Sequence, residues 1–203
     1  MSDKRKLRIL ACPSNEGGCA YYRIIMPLQK LVEKCGEEVE VRWNDNPLGV
    51  DKETGQVAKD WKPTDFEWAD VVFTQNIHNF GGVYTVNILK MGHDHNCFTH
   101  FDTDDLLTDL YEGHRLYKVY KEQKLDEVTK FIYSNVDLVT VTQRKFAERI
   151  MPYVNNALVV IKNAIDFNLP CWNVPRMSTK QVRIGWAGGI HHDVDVKEFA
   201  NVP

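Results

Sequence analysis

Six short apolar runs punctuate the first 165 residues: LRILAC (7–12), EVEVRW (38–43), ADVVFTQ (69–75), NCFTHFD (96–102), VDLVTVT (136–142) and ALVVIKN (157–163). Segments with helical spacing lie between most of them. Apolar residues stand at 24, 25, 28, 31 and 32, and helical patterns also cover 81–92, 116–133 and 143–154. Most of the runs are apolar almost throughout rather than alternating. Strands of that kind are covered on both faces, and strand–helix alternation places them in a parallel sheet. The expectation is an α/β, Rossmann-like parallel sheet with helices on both faces, spanning residues 1–165. Gly36 is expected to close the first long helix, and Pro27 is expected near a helix start, because its ring is tolerated only in a first turn. Residues 44–63 are polar and rich in turn formers, and read as a long loop. Residues 166–181 carry two prolines and little periodicity, and read as a linker. At Val182 a new strand and glycine turn begin, so 182–203 reads as the start of a second domain.

Composition narrows the function classes. A chain of 203 residues can bury one good core, or one domain and part of another. The formal net charge of −3 supplies no global attraction to nucleic acid or to an anionic membrane. No apolar run is long enough to span a bilayer, and the apolar stretch in MSDKRKLRILACPS is too short for a signal peptide. The five cysteines, Cys12, Cys19, Cys35, Cys97 and Cys171, are odd in number and irregularly spaced. That pattern does not suit a disulfide framework, and a reducing cytoplasm is the expected compartment. Cys12 and Cys97 sit in strand-like runs and are expected to be small buried apolar residues.

Four stretches carry chemistry. In ACPSNEGGCAYYRIIMPLQKL, Gly17 and Gly18 join a strand to a helix, and backbone N–H groups at such a turn suit an anion or a hydroxyl. The stretch is neither GxGxxG nor a P-loop, and an unliganded connection explains it equally well. Tyr21, Tyr22 and Arg23 add stacking and anion contacts, or simply begin an amphipathic helix. In FTHFDTDDLLTDL, Asp102, Asp104 and Asp105 follow a strand. Carboxylates there can bind Mg²⁺ or act as acid and base; they can also cap a helix. In MGHDHNCFTH, His93, His95 and His100 resemble metal ligands, but no fourth ligand matches them and no metal is expected. In GWAGGIHHDVD, Gly185, Gly188 and Gly189 allow a tight turn, and His192 and Asp195 fall on one helical face.

Taken in order, these blocks resemble the GT-B fold glycosyltransferases, closest to the family-4-like retaining enzymes of bacteria and phages. The resemblance rests on Gly17, Gly18, Tyr22, Arg23, Ile24, Pro27 and Leu31 in the first loop and helix. It continues through Asp102, Asp104 and Asp105, then Asn163, Ala164, Ile165 and Asp166, then Gly185, Trp186, Gly188, His192 and Asp195, with Gly189 in place of the usual serine. It implies one GT-B half plus a stub of the second. The acceptor-side domain would be 1–165, followed by the beginning of a donor-binding domain. The implied activity is transfer of a sugar from a UDP- or GDP-sugar to an acceptor of unknown identity, with no cofactor required. Gly17, Gly18 and Arg23, with Gly188, Gly189 and His192, would face the donor, while Asp102, Asp104 and Asp105 would line the acceptor side. Most of the usual donor site would lie beyond Pro203, so the chain alone is expected to be incomplete or inactive. A homo-oligomer or a missing C-terminal half would complete it.

Two other classes fit parts of the sequence. FDTDD resembles the DxD of haloacid dehalogenase-type phosphohydrolases, with Asp102 as nucleophile, Asp104 as acid and base, and Mg²⁺ as cofactor. It stands mid-chain rather than on the first strand, and Asp105 replaces the usual Thr or Val. Alternatively, a Rossmann-like interaction domain would pair through apolar residues near Trp172, Trp186 and Phe199.

Overall fold

The computed structural model describes residues 5–173, apart from 52, 79 and 115, together with Pro175. Six strands form one wholly parallel sheet. They are β1 (Leu7–Cys12), β2 (Val39–Trp43), β3 (Val71–Gln75), β4 (Phe98–Thr103), β5 (Leu138–Val141) and β6 (Ala157–Val160), in the order β2-β1-β3-β4-β5-β6. The α/β Rossmann-like class expected from the sequence is what the chain adopts. Each of the six strands expected in residues 1–165 is present within a few residues of its expected position; the strand expected from Val182 lies outside the described residues.

Strand order dictates where the helices lie. Crossovers between parallel strands are right-handed, so a connection moving outward and one moving back must use opposite faces. The step from β1 out to β2 carries α1 (Gly18–Ala20) and α2 (Met26–Cys35). Their Ala20, Ile24 and Leu28 pack on Ile9, Ala11 and Phe73. The return to β3 and all later steps use the other face. There α3 (Thr64–Trp68) and α4 (Gly82–Asp94) cover Leu10, Cys12 and Val72. On the same face, α6 (Leu125–Asn135) and α7 (Arg144–Ile150) cover Phe101, Val139 and Val141. Helices therefore lie on both faces, but unequally. Gly92 lets α4 approach closely: a Cβ there would stand 3.1 Å from methyl carbons of both Val72 and Thr99.

Three local expectations change. First, the opening helix starts well before Pro27 and runs unbroken from Gly18 to Cys35. Its Tyr21–Ile25 turn is a π turn. Proline lacks the N–H that the carbonyl four residues earlier would accept from, and its ring crowds that carbonyl; a widened turn just ahead of Pro27 relieves both. Second, the expected 116–133 helix is two helices, α5 (Tyr117–Glu122) and α6, broken at Lys124 with φ 52°. The break lets α6 bury Leu125, Thr129, Ile132 and Tyr133, one face at helical spacing. Third, the loop over residues 44–63 is anchored at its two ends, with residues 53–60 exposed between them. Leu48 is buried, Tyr84 donates to Asn46 at 2.7 Å, and Trp61 Nε1 donates to the Pro47 carbonyl at 3.0 Å.

Gly49 is the tight point of that loop. Its φ is +60°, and a Cβ there would stand 2.2 Å from Trp61 Cδ1. Gly49→Ala is expected to expel the indole and to cost about 1–3 kcal/mol, from left-handed strain plus the lost packing. A urea midpoint followed by tryptophan emission checks it; an unshifted midpoint would show that the ring has room to move.

Candidate functional site at the carboxyl edge of the sheet

In open α/β sheets, ligands sit beyond the carboxyl ends of the strands, where connections diverge at a reversal of strand order. Here the reversal lies between β1 and β3. A cleft of about 950 Å³ opens at that point, over the ends of β1, β2 and β3. Ser14, Asn15, Trp43, Asp45, His78 and Phe80 are among the residues lining it.

The floor is a chain of polar contacts. The backbone N–H of Gly17 donates to Asn15 Oδ1 at 2.7 Å, Asn15 Nδ2 donates to Ser14 Oγ at 3.0 Å, and Ser14 Oγ donates to Gln75 Oε1 at 2.9 Å. Ser14 and Gln75 are fully buried. Among the described residues, Gln75 Nε2 finds no partner. Gly17 and Gly18 stand exposed at the helix entrance. Neither requires glycine for its backbone angles: Gly17 has φ −78°, and no positive φ occurs at Gly18.

Arg23 projects from the π turn across the sheet to Asp102, the residue of β4 beside Gln75. Nε donates to Oδ2 at 2.9 Å and Nη2 to Oδ1 at 2.5 Å, a two-pronged pair. Nη1 reaches the Ile161 carbonyl at 2.6 Å and Asn163 Oδ1 at 3.0 Å. Both side chains are almost completely buried, at 3% and 1% exposure. Thr140 on β5 adds a 2.5 Å hydrogen bond to Asp102 Oδ1, and His100 Nε2 lies 2.8 Å from the same hydroxyl. The His100 ring stacks on Phe73 with centroids 3.9 Å apart and planes 7° from parallel. Burial pushes the Asp102 carboxyl up; the Arg23 and Thr140 hydrogen bonds oppose it without fully cancelling it. Burial and then the Arg23 charge hold His100 down at about 4.

The three aspartates thus have different surroundings. Asp102 is an interior group. Asp104 is half-buried and accepts from Asn76 Nδ2 at 2.7 Å; Asp105 is exposed. Beside them stands Cys19, whose thiol is pushed up to about 12 by partial burial, then by a hydrogen bond to Asp104 and the charges of Asp104 and Asp105. These groups favour its thiol over the thiolate that a nucleophile requires.

The fold brings Gly17, Gly18, Arg23, Asp102, Asp104 and Asp105 to one edge of the sheet. Gly188, Gly189 and His192 lie outside the described residues, as do Trp186 and Phe199. Arg23 was expected to face a donor. Its guanidinium is instead enclosed by Asp102, Ile161 and Asn163, so it positions the edge from within. Likewise Asp102, expected to line the acceptor side, presents no open oxygen to the cleft. The histidine cluster does not converge. His93 Nε2 lies 2.9 Å from the Asn135 carbonyl, His95 stacks on Phe66, and His100 is stacked inside. Among the described residues, no three His, Cys, Asp or Glu side chains are arranged to hold a metal ion.

Sequence inspection missed Trp43, Asn44, Asp45, Gln75, His78 and Phe80. The available signal was their position: each stands at or just after the carboxyl end of an apolar run, where a parallel sheet exposes its ligand edge.

No family model matches the chain, and no curated protein matches it.

Proposed function

We propose that the chain carries the acceptor side of a glycosyltransferase that moves a sugar from a UDP- or GDP-linked donor to an acceptor. The supporting observation is the open cleft at the β1/β3 reversal, with aromatic walls and neutral or acidic polar groups. A cleft of this make-up suits a polyhydroxylated ligand. Backbone N–H groups and amide side chains orient hydroxyls, while Trp43 and Phe80 cover the apolar face of a sugar ring. In transfer, the acceptor hydroxyl loses its proton as it attacks the anomeric carbon, and the nucleoside diphosphate leaves with the bonding pair. Asp104 and Asp105 follow β4 on this edge, and one of them would take that proton. Arg23 and Asp102 would hold β4 and the chain after β6 in place beneath them.

The phosphohydrolase reading is less favoured. It requires Asp102 as nucleophile, and that carboxylate is buried beneath Arg23 and Thr140. The interaction-domain reading has one observation behind it: Val159, Ile161, Ile165, Phe167 and Trp172 are all exposed along and after the edge strand β6.

Two measurements on the full chain separate the enzyme readings. Calorimetry with neutral glycosides is expected to show binding on the order of millimolar or tighter, with or without Mg²⁺. Incubation with p-nitrophenyl phosphate and Mg²⁺ is expected to release no phosphate. Phosphate release without glycoside binding would replace the transferase with the hydrolase.

A further inference from the structure

The charge of the cleft narrows the acceptor. Glu16 and Asp45 stand on its rim with Asn15 and Asn44, and no lysine or arginine lines it among the described residues. Arg23, which reaches this edge from the π turn between α1 and α2, is neutralised by Asp102 at 2.5 Å. Asp104 and Asp105 add negative charge along the same edge, close enough to act on Cys19. An anionic ligand entering here would meet repulsion that no lysine or arginine among the described lining residues offsets.

The walls select in the same direction. Trp43 ends β2 with 41% of its surface exposed, although it stands in register with the fully buried Ala11 of β1. Ile25 lies on the same wall, and Phe80 stacks on Tyr84 at 4.7 Å on the other side. An exposed indole beside two carboxylates favours a flat apolar ring face and, above it, a protonated amine.

We infer that the acceptor is a saccharide without carboxylate, phosphate or sulfate, and that a free amino group strengthens its binding. This rests on the glycosyltransferase reading. Phosphorylated sugars, uronic acids and nucleic acid strands are excluded as acceptors on electrostatic grounds, the last because each nucleotide brings a phosphate to an acidic edge.

Saturation-transfer NMR on the full chain at about pH 6.5, where an amine of ordinary basicity is protonated, tests this. The probes are methyl glucoside, glucosamine, glucuronic acid, glucose 6-phosphate and a short single-stranded DNA. Glucosamine is expected to bind about 3- to 10-fold more tightly than methyl glucoside, in line with one added charge contact near a protein surface, and the three anions are expected to give no signal. The double variant Glu16→Gln, Asp45→Asn is expected to erase the amine advantage while methyl glucoside still binds. Trp43→Ala is expected to weaken both saccharides by about tenfold or more, the loss of a stacked ring face. Glucuronic acid or glucose 6-phosphate binding as well as methyl glucoside would overturn the acceptor class and leave the transferase standing. So would saccharide binding indifferent to Trp43 and to the two acids. Silence from every saccharide would overturn both.

Discussion

Arg23→Ala is expected to lower the unfolding free energy by about 3–5 kcal/mol. The magnitude follows from what is left behind. Asp102 is 1% exposed, and its carboxylate takes two hydrogen bonds from the guanidinium. With the arginine gone, a buried charge remains with only Thr140 to bond it, and either the charge or its protonation must be accommodated without water. The Ile161 carbonyl and Asn163 lose their donor in the same step. Arg23→Lys is expected to rescue little, because a single ammonium cannot serve Asp102 with two prongs and reach the chain after β6 as well. The double replacement Arg23→Met, Asp102→Leu is expected to be far less harmful than the sum of the single changes, since it removes both charges together. Urea midpoints of Arg23→Ala, Arg23→Lys, the double variant and its two single changes check this. Additive losses would mean that the two side chains are not coupled as their geometry requires.

Stability should also fall on mild acidification, through His100. In the folded chain this ring is held neutral down to about 4, by burial first and by Arg23 second. In the unfolded chain it titrates near its ordinary value of about 6.5. Between those values the unfolded state binds a proton that the folded state refuses, so stability is lost as pH falls from about 6.5 to about 4 and is unaffected above that window. The full loss is about 3 kcal/mol. His100→Phe keeps the stack on Phe73 and leaves Thr140 bonded to Asp102, so its profile should be flatter over that window. Urea midpoints at about pH 7 and about pH 4.5 for the two proteins isolate the effect, because the other histidines and the carboxylates titrate in both. Parallel profiles would mean that protonated His100 finds room in the folded chain.

Much of the scaffold was legible in the sequence. Strand positions followed from the apolar runs, because a sheet covered on both faces is built mostly of apolar residues. The departures have local causes. A widened turn carried the helix past Pro27, which propensity alone forbids. Lys124 in a left-handed conformation split a helix whose apolar spacing read as continuous, because α5 and α6 bury different faces. The two ends of the polar loop 44–63 come together because Gly49 lets Trp61 close over the backbone.

The residues of the candidate site divide in the same way. Gly17, Gly18, Asp102, Asp104 and Asp105 were visible because strand ends followed by glycines or carboxylates mark the carboxyl edge of a parallel sheet. Their roles were not visible. Asp102 and Asp104 are two residues apart and chemically identical, yet one lies beneath a guanidinium and the other faces the edge. That difference comes from Arg23, 79 positions earlier, reaching β4. Trp43, Asp45 and Phe80 likewise become neighbours only because β2 and β3 leave β1 on opposite sides. Local pattern determined which segments are strands and helices, since hydrophobic burial acts at short sequence range. Tertiary structure decided which carboxylate is buried, which arginine is neutralised and what lines the cleft, since those depend on contacts between residues that the sequence holds far apart.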